Sequence, residues 1–162
     1  MGDLDRHSNE HIYMTYQLAQ VNIAQLIAPL EDPRIADFVN LLDEINELAE
    51  ESPGFVWRLK DYNMDPSEPN PFGNPLILIN MSVWESVEHL KHYAYHTKHM
   101  EVFKRRKEWF HKMDGAHMAL WWVSEGHQPT PIEARDKIME LRDHGESESV
   151  FTFKSPASPP KT

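Results

Sequence analysis

The run Leu76-Ile-Leu-Ile-Asn-Met-Ser-Val-Trp84 is apolar almost throughout. Hydrophobicity that is continuous rather than alternating predicts a central strand buried on both faces. Upstream lies a proline-punctuated loop, Asp61 to Pro75, with Asn70-Pro71 and Asn74-Pro75 as turn signals. Downstream, Glu85 to Phe110 has helical composition, Asp114-Gly115 is a turn, and His117 to Val123 is an aromatic-rich strand. On the N-terminal side, Phe55 to Leu59 is a short strand after the stop Ser52-Pro53-Gly54. Before it, Ile35, Phe38, Val39, Leu42, Ile45 and Ala49 recur at helical spacing behind an Asp32-Pro33 start. Leu18 to Ile27 reads as the first strand. The order is β-α-β-β-α-β, the ferredoxin-like α+β motif. Thr130-Pro131-Ile132-Glu133 then reads as a capping box that opens one more helix, ending near Gly145, and Val150 to Phe153 as a short final strand.

The 162 residues suit one domain, placed at 16–153 between a flexible segment, 1–15, and a disordered tail, 154–162. Such a sheet has helices on one face and needs cover on the other. A partner subunit is the expected cover, which makes the protein a homodimer. Trp121 and Trp122 must point to opposite sides of their strand, so one of them is expected at that interface.

A net charge of −10 argues against nucleic acid as a partner, because phosphate affinity depends on basic surface. The absence of cysteine excludes disulfide scaffolds, thiol catalysis and Cys-ligated metal. No apolar run is long enough for a membrane span and no secretory signal opens the chain, so a cytoplasmic protein is expected. With six glycines and no phosphate loop, nucleophile elbow or dinucleotide fingerprint, no organic cofactor is expected.

His89, His92, His96 and His99 are spaced by three, four and three. On one continuous helix they form a stripe about 80° wide opposite Val87, Leu90 and Ala94, where His92 and His96 would suit a metal pair. No third ligand stands at fixed spacing, so the reading is a solvated stripe and no metal. If the helix breaks at Tyr95-His96-Thr97-Lys98 and restarts at His99, the phase changes. His99, Phe103, Arg106 and Phe110 then fall within roughly 60° of one another, with Trp109 alongside. A buried imidazole and guanidinium need partners or a ligand. Two readings stay open there: His99 bonded to a carbonyl with Arg106 reaching an acid, or both facing a ligand. Asn46 sits in the apolar stripe of the first helix, and Asn22 and Asn80 lie in apolar strands. Trp57, Trp84, Trp109 and Trp121 supply aromatic walls.

Gln20 to Ala24, Ser52 to Arg58, Asn80 to Ser86, His99 to Phe110 and Leu120 to Val123 resemble the bacterial and fungal domain-of-unknown-function family 3291. The likeness covers residues 17 to 153. That family is placed with the dimeric α+β barrels, which share the topology read above. The resemblance implies a site between the sheet and the helices of each subunit. It also implies one of three chemistries: cofactor-free oxygenation of phenols and anthrones, haem degradation, or non-redox cyclisation and dehydration. The haem-degrading members rely on a helix histidine where Lys104 stands here, which argues against haem.

The expectation is an enzyme without an organic cofactor that acts by acid/base chemistry on a hydrophobic aromatic or polyketide-like substrate. The superfamily resemblance points to a cofactor-independent monooxygenase. A cyclase, isomerase or dehydratase, and a ligand-binding or haem-binding module without catalysis, are the alternatives. His99 is the expected general base and Arg106 stabilises the anion formed. Asn22, Trp57, Asn80, Trp84, Phe103, Trp109 and Trp121 line the substrate.

Overall fold

Strand β1 (Tyr16–Leu26) runs through the middle of the sheet and carries the longest register in the molecule. The structure is a computed structural model and describes residues 15–60 and 70–161. After β1 come a 3₁₀ turn (Pro33–Ile35), α1 (Ala36–Glu51), β2 (Phe55–Arg58) and β3 (Ile77–Trp84). There follow α2 (Val87–His96), α3 (His99–Lys104), α4 (Arg106–Trp109), β4 (Phe110–His111), β5 (Met118–Ser124) and α5 (Pro131–His144). β3 pairs one edge of β1, and β5 and the two-residue β4 share the other, all antiparallel. β2 completes the order beyond β3. This is the ferredoxin-like βαββαβ arrangement with an added C-terminal helix. Most of the Asp61–Pro75 loop and the expected flexible segment 1–15, save Thr15, lie outside the described residues.

Strand parity divides the core between two faces. Ala19, Val21 and Ile23 of β1 share one face with Ile79, Met81 and Val83 of β3 and Ala119, Trp121 and Val123 of β5. The chain covers this face itself, with Ala134, Ile138 and Leu141 of α5. The added helix thus supplies on this face the cover that was expected of a second copy. It is long enough to do so, and Val21 and Ala119 have no exposed surface. Trp121 packs beneath α5, and Trp122, on the opposite side, donates its indole N–H to the carbonyl of Ala157 at 2.9 Å. Trp121 is buried and Trp122 half-buried. The Ala157 contact also anchors the segment expected to be disordered. Val150–Phe153 is no strand: Phe151 forms a single bridge to Leu120.

The helix starts follow their caps. Ser86 accepts from the N–H of His89, and Thr130 from that of Glu133 at 3.1 Å, with Pro131 at the first helical position. The Thr130 capping box is only half formed, because the Glu133 carboxylate is drawn to Trp121 Nε1 (3.0 Å) and His127 Nε2 (2.7 Å). The helical stretch expected from Glu85 to Phe110 is three short helices. The first break is at Thr97, whose backbone is extended and whose hydroxyl donates to the Tyr93 carbonyl at 2.6 Å. The second is at Arg105, and Phe110 then turns into β4.

Candidate active site between sheet and helices

On the helix-covered face, β1 presents Leu18, Gln20, Asn22, Ala24 and Leu26 in alternate positions, and β3 presents Leu78, Asn80, Ser82 and Trp84. The apolar residues at the two ends belong to separate clusters. Leu18 and Trp84 pack with Ile45, Ala49, Leu90, Tyr93 and Leu120, whereas Leu26 and Leu78 pack with Ile35, Phe38 and Trp109. Between them runs a polar strip, Gln20, Asn22, Asn80 and Ser82. Leu41 of α1 and Val102 of α3 pack against both clusters and so bridge the strip. The helix layer leaves its middle partly open: Leu18 and Leu26 are buried, but Asn22, Ala24 and Asn80 are half-buried. The centre of this face, at Asn22, Ala24 and Asn80, is thus the part of it that solvent still reaches.

The buried end of the strip is internally bonded. Gln20 Nε2 donates to Asn80 Oδ1 at 2.9 Å and to Ser82 Oγ at 2.8 Å. Trp84 Nε1 donates to the same Ser82 Oγ at 2.8 Å. Asn22 stands directly across from Asn80 in the strand register. The Trp84 ring stacks on Tyr93 with centroids 5.1 Å apart, and Tyr93 lies 5.3 Å from His99. The Tyr93 hydroxyl donates to the Ile45 carbonyl at 3.1 Å, which fixes that ring against α1. Contacts therefore run unbroken from Asn80 through Gln20, Ser82, Trp84 and Tyr93 to His99.

His99 opens α3 after the Thr97 break, and Val102 rather than Phe103 packs inward on that helix. Its Nδ1 lies 3.3 Å from the carbonyl of Ala94. A carbonyl only accepts, so Nδ1 carries the hydrogen and Nε2 keeps its lone pair. Burial holds the imidazole pKa below its ordinary value, and the Ala94 bond offsets this in part. At neutral pH the ring is a neutral base. Of the reading without a ligand, the bond from His99 to a carbonyl is present, while Arg106 donates to a carbonyl and reaches no acid among the described residues.

The structure brings Asn22, Asn80, Trp84, Trp109 and His99 to the helix-covered side, with Trp84 and Trp109 on opposite flanks of the strip. It does not bring the others there. Trp57 pairs with Val83 and packs on the far face, as does Trp121, because their strand parity is opposite to that of Asn80. Phe103 is exposed, and Arg106 lies out on it, 4.1 Å over the ring, donating to the Phe103 carbonyl. The break at Arg105 resets the helix phase and turns Arg106 away from the apolar face. Arg105 takes the inward place, 4.6 Å over the Trp109 ring and hydrogen-bonded to Asp37 and Glu108. Asn46 is buried, as its place in the stripe implied.

Gln20 and Ser82 were not singled out from the sequence. The signal was present: Gln20 and Asn22, and Asn80 and Ser82, are each two apart in otherwise apolar strands. His92 and His96 stack with ring centroids 5.0 Å apart on exposed α2, beside a surface concavity with Glu88, Lys91 and Tyr95. Among the described residues no three potential ligands gather around a metal position. A second concavity, between Phe72, Met113 and Met139, lies on the α5 side. Among the described residues no helix is long and apolar enough to cross a membrane.

No curated protein matches the sequence. Among solved structures, a protein of unknown function from Nitrosomonas europaea is similar at 11% identity and a TM-score of 0.45, over 74% of this chain and 98% of that one. The likeness in the strands and in His99–Phe110 is matched over a longer span by the family model. The domain of unknown function DUF3291 covers residues 17–162, and the protein belongs to that family.

Proposed function

We propose that the protein is a small-molecule enzyme that works by proton transfer, without an organic cofactor, on a hydrophobic aromatic or polyketide-like substrate held in a cleft over the polar strip. The observation that carries the reading is the strip itself, which interrupts the helix-side core at the centre of the sheet and is linked by ring contacts to a neutral histidine. Polar groups cost free energy in a core unless something needs them there. In this reading His99 Nε2 takes a proton from a carbon or hydroxyl next to the substrate carbonyl. The amide groups of Asn22 and Asn80 then donate hydrogen bonds to the enolate or phenolate oxygen. Trp84 and Trp109 bound the aromatic body on either side. The anion gives a monooxygenase if it passes an electron to dioxygen, and a cyclase, isomerase or dehydratase if it rearranges or expels a leaving group.

Proton abstraction can be tested before the natural substrate is known. 2-Tetralone carries acidic C–H bonds beside its carbonyl and is small enough to probe the cleft. Incubated with the protein in D₂O, it is expected to exchange those protons faster than in buffer, as read by proton NMR. His99→Ala is expected to slow the catalysed exchange by roughly 10²–10⁴-fold. Exchange at the buffer rate, with correctly folded protein, overturns the reading.

A further inference from the structure

The Trp84 indole can only donate, so Ser82 Oγ must accept from it. Gln20 Nε2 fills the second acceptor position of that oxygen, which leaves the Ser82 hydroxyl only its own proton to offer. The other N–H of Gln20 holds Asn80 Oδ1, so the Asn80 side chain presents its NH₂ group as the free end. Asn22 stands across from it with an amide that can add a further donor. The two groups whose sense these bonds set, the Asn80 NH₂ and the Ser82 hydroxyl, are therefore donors, and both are neutral.

Among the described residues, the cations beside this face on α3, on α4 and between the helices are engaged with other groups or exposed. Arg105 is held by Asp37 and Glu108, Arg106 lies over Phe103, and Lys98 is paired with Glu44. Lys104 and Lys107 are exposed. A carboxylate or phosphate entering the cleft would lose its water without gaining a counter-charge, which costs more than neutral hydrogen bonds return. A carbonyl oxygen loses little hydration and meets the donors it needs.

We infer that the cleft selects an uncharged ligand that turns a carbonyl-type acceptor oxygen toward Asn80 and Asn22, and that Gln20 is the positioning residue that sets this selectivity. The inference rests on the cleft proposed above and narrows its substrate class to neutral ketones, quinones or amides, against acids of the same size.

The test is a pair of titrations of the wild-type protein, with 2-tetralone and with 2-naphthoate, at pH 7.5. Each is followed by tryptophan fluorescence and by the side-chain amide NMR signals of Asn22 and Asn80. The expected result is an affinity for 2-tetralone at least tenfold above that for 2-naphthoate. Asn80→Asp keeps an oxygen for Gln20 and replaces the free donor with an acceptor, so 2-tetralone affinity should fall at least tenfold. Gln20→Glu releases the Asn80 amide from its held sense and should do the same from a position behind the ligand. Equal or tighter binding of 2-naphthoate overturns the selectivity and leaves the cleft standing, and this comparison needs no variant. Unchanged 2-tetralone affinity in a folded Gln20→Glu overturns the positioning role. If neither compound moves the Asn22 and Asn80 signals at millimolar concentration, this inference and the cleft reading both fall.

Discussion

The imidazole of His99 sits 5.3 Å from the ring of Tyr93, tilted by 50°. Tyr93 is itself clamped between Trp84 and the Ile45 carbonyl, so the histidine is placed by residues of α1, α2 and β3 rather than by its own short helix. Burial lowers its pKa in the folded protein. The unfolded chain therefore takes up the proton first as the pH falls. The stability His99 contributes is complete above about pH 6.5, the ordinary histidine value, and is lost as the pH drops through the folded-state pKa. Urea midpoints at pH 7.5, 6.5 and 5.5 should decline more steeply for wild type than for His99→Gln. Parallel curves would remove His99 from the acid sensitivity.

Gly54 has φ +83°, and a Cβ there would lie 2.2 Å from Cγ and 2.5 Å from Cβ of His89. The His89 Cβ is fixed to the helix backbone, so rotating the ring does not relieve the contact. Gly54→Ala should cost roughly 2–5 kcal/mol, combining left-handed strain with overpacking. Adding His89→Gly, which removes that Cβ, should recover the overpacking part and, measured against His89→Gly alone, leave about 1–2 kcal/mol. Chemical denaturation of these variants separates the contributions, and a double variant as stable as His89→Gly alone would show that the backbone is not strained.

Trp121 donates to Glu133 across the α5 interface, on the sheet face away from the cleft. Trp121→Phe should lower stability by about 1–3 kcal/mol, since the bond is to a charged acceptor. Its 2-tetralone affinity should stay within twofold of wild type. A larger change in affinity, with stability intact, would mean that the α5 face communicates with the cleft.

Arg106 and Arg105 should behave as opposites. Arg106→Ala removes an exposed side chain and should change stability by no more than about 0.5 kcal/mol and exchange of 2-tetralone by less than twofold. Arg105→Ala loses the Asp37 and Glu108 pairs and the Trp109 contact, and solvent screening keeps the loss of stability small. It should also weaken 2-tetralone binding, because Trp109 flanks the strip. If Arg106→Ala abolishes exchange while Arg105→Ala does not, the outward placement of Arg106 is incorrect.

The strand order and the restart at His99 were legible because they depend on local signals: apolar runs, proline starts and a threonine beside a lysine in a histidine-rich turn. The roles of Arg105 and Arg106 were not, because a break at Arg105 shifts every later residue by a fraction of a turn and no glycine or proline marks it. Trp57 and Trp121 were misplaced for a related reason. Which side of the sheet a strand residue faces depends on the register with its neighbour, and here Trp57 answers to Val83 rather than to Ser82 or Trp84. That α5 covers the far face was not legible either, because the capping signal locates the last helix but does not aim it. Gln20 and Ser82 were hidden by the assumption that amides matter singly; their spacing of two with Asn22 and Asn80 places them on one face.

Helix α3 has no fully buried residue, and irregular backbone at Thr97 and Arg105 bounds it on either side. Free energies of local opening follow the contacts that opening would expose. This stretch should therefore exchange its amide hydrogens well before β1 and β3, which are buried along most of their length. The proposed base sits on the part of the protein expected to loosen first, and its proposed hydrogen-bonding counterparts on the part expected to loosen last. Occupancy of the cleft would then register as slowed amide exchange in residues 99–104, even for a ligand too silent to report on itself.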